Sequence, residues 1–163
     1  MKDVTVGKIR ALTERELSYI AGFLDGDGSV MALVEKHSEK KFGIRIRALV
    51  EFTQHDDNIL VLKYLQKKIG SGHINRSLRN VWKYAIRDQS AVRDLLTRLS
   101  DHVVLKKPQI KHALTILKMD LSSRSSLIRA SILCDKVSSS NLRSKSRRIN
   151  GAKIVREMIS RND

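Results

Sequence analysis

The segment Asp25-Gly26-Asp27-Gly28-Ser29 sets two carboxylates two residues apart, directly after the apolar run Ile20-Ala21-Gly22-Phe23-Leu24. Leu17, Ile20, Ala21 and Leu24 keep helical spacing, and Gly26 and Gly28 break it. The carboxylates therefore belong to a helix C-terminus, where backbone carbonyls past the helical ladder carry partial negative charge. An aspartate added there makes a cation site, and Asp27 with a backbone carbonyl suits a hard ion such as Mg2+, which prefers oxygen. Two other chemistries compete for these residues. A calcium loop counted from Asp25 needs glycine at its sixth position and glutamate at its twelfth, but Val30 and Lys36 stand there, which excludes an EF-hand. A turn whose aspartates only bond backbone amides is the plainer alternative.

The charge of the chain says what such a site would face. Lys and Arg number 32 against 17 Asp and Glu, a net +15 over 163 residues, and so basic a surface seeks polyanions, nucleic acid first among them. A ribosomal or merely basic protein is the alternative from charge alone. Hydrophobic residues at 41% and charged residues at 30% are those of a folded domain, and the length suits one. Cys134 is the single cysteine, so no internal disulfide can form, and the histidines at 37, 55, 73, 102 and 112 show no zinc spacing. No apolar run approaches the roughly 20 residues that span a bilayer, and the first ten residues lack the apolar stretch of a signal peptide. The expectation is an intracellular protein, in cytoplasm or nucleoid or in an organelle, with no membrane partner and no small-molecule cofactor.

The elements that position the acidic pair can be read outward from it. Thr13-Glu14-Arg15-Glu16 is a capping box that starts the helix. From Val30 the period changes to two, and after the Lys-rich turn at 39–43 the alternation is cleaner. Ile44, Ile46, Ala48, Val50 and Phe52 lie on one side, Arg45, Arg47, Leu49, Glu51 and Thr53 on the other. Asp56 or Asp57 can cap a second helix carrying Leu62, Leu65 and Ile69, with Gly70 at its stop. A second hairpin follows at 73–78 and 81–87, with Trp82, Tyr84 and Ile86 apolar against Lys83, Ala85 and Arg87. Helices at 90–99 and 109–119 follow, Pro108 standing near the start of the latter. This order implies an α+β domain, its helices on one face of an antiparallel sheet whose other face is open and basic.

Residues 122–163 differ in composition, with ten Lys and Arg against three acids and ten serines between Ser122 and Ser146. Leu127, Ile128, Leu133 and Val137, then Ile154, Val155, Met158 and Ile159, keep helical periodicity. We therefore expect a core over residues 1–121 and a C-terminal helical extension over 122–163, packed on the same domain, its two helices joined by a basic linker at 141–148. A solvated tail is the alternative.

The stretch Ile20-Ala21-Gly22-Phe23-Leu24-Asp25-Gly26-Asp27-Gly28 resembles the motif that names the LAGLIDADG homing endonucleases, and the order of elements is similar over about residues 13–120. The resemblance to the single-motif branch, often intron-encoded, implies an αββαββα core with a saddle-like sheet. It implies that Asp27 and the Gly26 carbonyl hold the metal: Mg2+, with Mn2+ as a substitute and Ca2+ supporting binding only. Phe52-Thr53-Gln54 is similar to the family's strand end, making Gln54 the residue that orders attacking water; an ordinary strand-end amide is the alternative. Val104-Leu105-Lys106-Lys107 is similar to the segment that carries an active-site lysine. This implies Lys106 as the third catalytic residue, with Lys107 open as the alternative.

Small residues at Ala21 and Gly22 let a second helix approach closely. One motif and no internal repeat, set against two DNA strands to cut, imply a C2 homodimer meeting along Ile20, Ala21, Gly22, Leu24 and Asp25. The resemblance implies double-stranded DNA as partner and a long pseudo-palindromic site read from the open strand faces. The contacting residues expected are Ser29, Met31, Leu33, Glu35, Arg45, Arg47, Glu51, Asn75, Arg76, Ser77, Lys83 and Arg87, the arginines serving guanine edges or phosphates. A non-cleaving binder of the same fold, an RNA maturase or a transcription regulator, is the alternative function, and Asp27, Gln54 and Lys106 together favour the enzyme.

Overall fold

The computed structural model describes residues 8–141 and 150–161. In chain order the elements are α1 (Glu14–Asp27), β1 (Gly28–Lys36), β2 (Ile44–His55), a 3-10 turn (Asp56–Asn58), α2 (Ile59–Ile69), β3 (His73–Leu78) and β4 (Val81–Ile86). The helices α3 (Gln89–Leu99), α4 (Lys107–Lys118), α5 (Arg124–Ser140) and α6 (Gly151–Ser160) follow. The strands form one antiparallel sheet in the order β1-β2-β4-β3, with β2 and β4 in register from Val50 opposite Ile86 to His55 opposite Val81. Packing groups the chain into two compact units. One joins the described residues up to Ser29 with Leu49–Lys107, and the other joins Val30–Ala48 with the described residues from Pro108 onward.

In the first unit, α1 starts where Thr13 and Glu16 exchange hydrogen bonds, Glu16 N donating to Thr13 Oγ1 at 3.3 Å and Thr13 N donating to Glu16 Oε2 at 2.9 Å. Glu16 also pairs with Lys68 at 2.6 Å, and these partners hold its carboxyl below its ordinary range. The helix buries Leu17, Ile20, Ala21 and Leu24. Val50 and Phe52 of β2, Tyr84 and Ile86 of β4, Leu62, Leu65 and Ile69 of α2, and Leu95, Leu96 and Leu99 of α3 are buried in the same unit. Phe52 stacks on Tyr84 with ring centroids 5.9 Å apart, so the apolar alternation of the two strands faces the helices. Gly70 ends α2 at φ 78°, the left-handed turn that glycine makes without a Cβ penalty.

One expected cap is absent. Neither Asp56 nor Asp57 caps α2, which begins at Ile59 behind a 3-10 turn, with no side-chain bond from Asn58. Asp56 instead accepts from the half-buried Trp82 indole, which needs a partner, and Asp57 is hydrogen-bonded to His55 Nδ1 at 3.1 Å. Asp88 caps α3, accepting from Ala91 N at 2.8 Å.

The second unit has its own core: Ala32 of β1, Ile44 and Ile46 of β2, Ile116 of α4, Leu127, Ala130, Cys134 and Val137 of α5, and Val155 and Ile159 of α6. Two serines of α5, Ser126 and Ser131, are buried. Ser123 and Ser126 form a capping box, and Ser131 Oγ donates to Ile128 O at 2.7 Å, which lets a hydroxyl be buried without an orphaned donor. Burial pushes the Cys134 thiol up to about 12, leaving it inert. Asp135 clasps the start of α6, accepting from Gly151 N at 2.8 Å and Ala152 N at 2.9 Å. Of the expected basic linker, residues 142–149 lie outside the described residues. Among the described residues no helix is long and apolar enough to cross a membrane.

Candidate active site

Gly28 N–H closes the last turn of α1 on Leu24 O, and β1 leaves from that same residue. A Cβ on Gly28 would stand 2.6 Å from Leu24 Cδ1 and 2.8 Å from Leu24 Cα. Its φ of −99° suits any residue, so close approach rather than dihedral freedom requires glycine here. Helix passes into strand without a linker, and Asp27 is left at the exposed helix end.

There Asp27 Oδ2 accepts from Gln54 Nε2 at 2.8 Å. Gln54 lies near the end of β2, opposite Trp82. The two residues are thus brought together. Asp25, two positions earlier, points elsewhere: its Oδ2 accepts from Val104 N at 2.6 Å and Leu105 N at 3.1 Å, and its Oδ1 from Lys106 N at 3.0 Å. Burial works against the Asp25 charge, but the three amides and then the Lys106 ammonium outweigh it and hold the carboxyl below its ordinary range. Lys106 is half-buried at this clasp, whereas Lys107 is exposed and opens α4.

The helix face expected to meet a second copy needs correction. Ile20, Ala21 and Leu24 are fully buried in their own chain, and the Asp25 carboxylate is occupied by backbone amides. Of that set only Gly22 is exposed, and a Cβ added to it or to Gly26 meets nothing within 4 Å. The reason is that an apolar helix stripe is taken first by the chain's own core. The open strip of α1 is Ser18, Gly22 and Gly26, flanked by Tyr19 and Phe23.

On the strands, Glu35 grips two arginines. Its Oε2 accepts from Arg45 Nε at 3.1 Å and Nη2 at 2.8 Å, and its Oε1 from Arg47 Nη2 at 2.8 Å. Burial opposes the Glu35 charge and the two guanidinium groups overcome it, so its carboxyl also stays below its ordinary range. In the other unit Lys83 Nζ pairs with Glu51 Oε1 at 2.8 Å. Asn75 lies opposite Lys83 and shares its face. Arg76 does not: it lies opposite Trp82, with its guanidinium 5.1 Å from the ring centroid and 3.8 Å from Asp56. Alternation puts it on the far face from Asn75. Ser77 falls within the β-bulge and Arg87 just past β4, both exposed. Ser29, Met31 and Leu33 are half-buried and alternate with buried Val30 and Ala32. Thr53, opposite Lys83, belongs to the same strand face, and period two alone would have added it to the contacting set.

One chain offers a cation few ligands. Among the described residues no group of three or more His, Cys, Asp or Glu side chains converges. The donors at the helix end are the Asp27 carboxylate and the Gly26 carbonyl, both hard oxygens.

A LAGLIDADG endonuclease family model matches residues 20–119. The DNA endonuclease I-CreI of Chlamydomonas reinhardtii is 30% identical over 110 residues, 68% of this chain and 67% of that protein. The homing endonuclease I-CvuI, solved in complex with the I-CreI target and Mg, matches with a TM-score of 0.83 at 25% identity, over 91% of this chain and 94% of its own. I-SmaMI bound to uncleaved DNA shares the fold at a TM-score of 0.70 and 19% identity, over 82% of this chain but 47% of its own. With the helix end, the strands and the lysine segment all inside the matched stretch, this chain belongs to the LAGLIDADG endonuclease family.

Proposed function

We propose that the chain is one subunit of a homodimeric endonuclease that hydrolyses double-stranded DNA at a long, near-palindromic site, using Mg2+. The observation that carries this is the exposed Asp27 carboxylate at the end of α1, held by Gln54. The donor set fits a hard divalent ion, and a second chain and DNA phosphates are the natural source of its remaining ligands. When bound, such an ion activates water and stabilises charge on a phosphoryl oxygen, with Mn2+ serving as substitute and Ca2+ supporting binding only. Asp27 and the Gly26 carbonyl hold the ion, and Gln54 orients both Asp27 and the incoming water. Lys106 places positive charge beside the phosphate as the water oxygen bonds to phosphorus and the bond to the leaving sugar oxygen breaks.

Two copies are needed because one chain carries one such helix end. The strip Ser18, Gly22 and Gly26 recurs every fourth residue, so a twofold-related α1 can lie close against it. That the same fold occupies about half of the I-SmaMI chain supports a working unit of two folds. The strand faces read the target: eight residues of strand span roughly 26 Å, or about eight base pairs of a half-site at roughly 3.4 Å each. Arg45 and Arg47 serve guanine edges, while Lys83 and Arg87 hold backbone or bases.

The test is incubation with the DNA that flanks the protein's own gene, joined without the insertion, in Mg2+ and in Ca2+. Double-strand cuts in Mg2+ and intact bound DNA in Ca2+ are the expected results. DNA bound but whole under both conditions would overturn the reading in favour of a maturase or regulator.

A further inference from the structure

We propose that Asp25 is a positioning residue for cleavage: by holding the backbone of Val104, Leu105 and Lys106 it fixes where the Lys106 ammonium stands relative to Asp27 and Gln54. The inference rests on the endonuclease reading above. Both Asp25 oxygens are engaged by three consecutive amides at 2.6, 3.1 and 3.0 Å, which occupies three of the carboxylate's about four lone-pair sites and turns it toward the protein.

The clasped segment has little else to seat it. Val103 is buried and bonds Leu99 O, but Val104 and Leu105 are 77% and 70% exposed, so burial does not anchor them. The same helix end sends Asp27 to Gln54 at 2.8 Å. Thus α1 sets all three catalytic positions: Asp27 directly, Gln54 through Asp27, and Lys106 through Asp25. The two aspartates divide the labour, one toward the reacting phosphate and one toward the protein.

The test uses the full chain, a plasmid carrying the gene's own flanking DNA without the insertion, and single-turnover cleavage in Mg2+. The variants are Asp25→Ala, Asp25→Asn, Lys106→Ala and the double Asp25→Ala/Lys106→Ala. Asp25→Ala should slow the cleavage step on the order of a hundredfold, the cost of a misplaced group. DNA affinity in Ca2+ and the half-saturating Mg2+ concentration should not move. Asp25→Asn keeps an acceptor oxygen and should lose less. The double variant should be no slower than the worse single one, because the lysine is already out of place.

Independent, multiplying losses would overturn the proposal, and so would a raised Mg2+ requirement, which would make Asp25 a metal ligand. A wild-type chain that leaves the plasmid whole would overturn the endonuclease reading instead. Amide exchange of the free protein separates the two. Amides 104–106 should lose protection in Asp25→Ala while those of Leu95 and Leu96 keep theirs, and unchanged protection at 104–106 refutes the clasp whatever the plasmid does. Should Asp25→Ala fail to fold, Asp25→Asn carries both measurements.

Discussion

The end of α1 and the strand faces both set carboxylates against nitrogen donors, but the donors differ in kind. Asp25 is held by backbone amides, which no substitution short of proline removes, whereas Glu35 and Glu51 are held by the side chains of Arg45, Arg47 and Lys83. The cations stay partly in water, Arg45 37% and Lys83 39% accessible, so screening keeps what each pair adds to the fold small. The contrast teaches where variation is cheap. A strand face can exchange its side chains at little cost to the fold, while the helix end is bound to the main chain and is far less free to change.

The sharpest way to break that contrast is Asp27→Asn. It should cut the cleavage rate by about a thousandfold or more, the several kcal/mol a metal contributes, while binding in Ca2+ persists. Cleavage at the wild-type rate would remove the helix end from the chemistry. Next comes Gly22→Leu, which should yield a folded monomer by sedimentation, since an added Cβ meets nothing within 4 Å inside the chain. A dimer that survives it lies on another surface. Gln54→Ala should slow cleavage about a hundredfold with affinity kept, the scale of a lost positioning contact. In parallel, damage from Lys107→Ala but not Lys106→Ala would move the lysine by one residue.

On the strand face, Arg45→Ala and Arg47→Ala should each relax preference at particular symmetric base pairs by about 1–3 kcal/mol across a site library. Uniform weakening, with a salt slope smaller by about one each, would make them phosphate clamps. The smallest effect concerns acid. Because Glu35 is depressed in the fold, its contribution is complete above the ordinary glutamate range and fades as pH falls through the lowered folded value. Glu35→Gln should therefore flatten the acid side of the thermal stability profile. An unchanged profile would mean that the arginines do not need it.

Local features were legible in the sequence wherever partners are close along the chain. Thr13 and Glu16, three residues apart, mark the start of α1, and Gly70 marks the stop of α2. Period two separates Ile44 and Ile46 from Arg45 and Arg47. What failed involves partners far along the chain. Asp56 reads as a cap until the Trp82 indole, 26 residues on, takes its carboxylate. Asp25 reads as part of an interface until amides 79–81 residues away claim it. Arg76 sits beside a β-bulge, where alternation loses count. Periodicity found the apolar stripe of α1 but could not say which chain it faces. Gln54 and Lys106 came from the family resemblance alone, as no local rule distinguishes them from other amides and lysines.

The missing linker at Gly28 has a consequence of another sort. Asp27 and Ser29 lie two residues apart, at most about 7 Å of chain, or roughly two base-pair steps. On the proposed reading, with Asp27 beside the cut and Ser29 at the start of the reading strand, this short stretch of chain is a covalent ruler. Redesigning the strand side chains would change which sequence is chosen, yet the position of the break within it would stay where the ruler puts it.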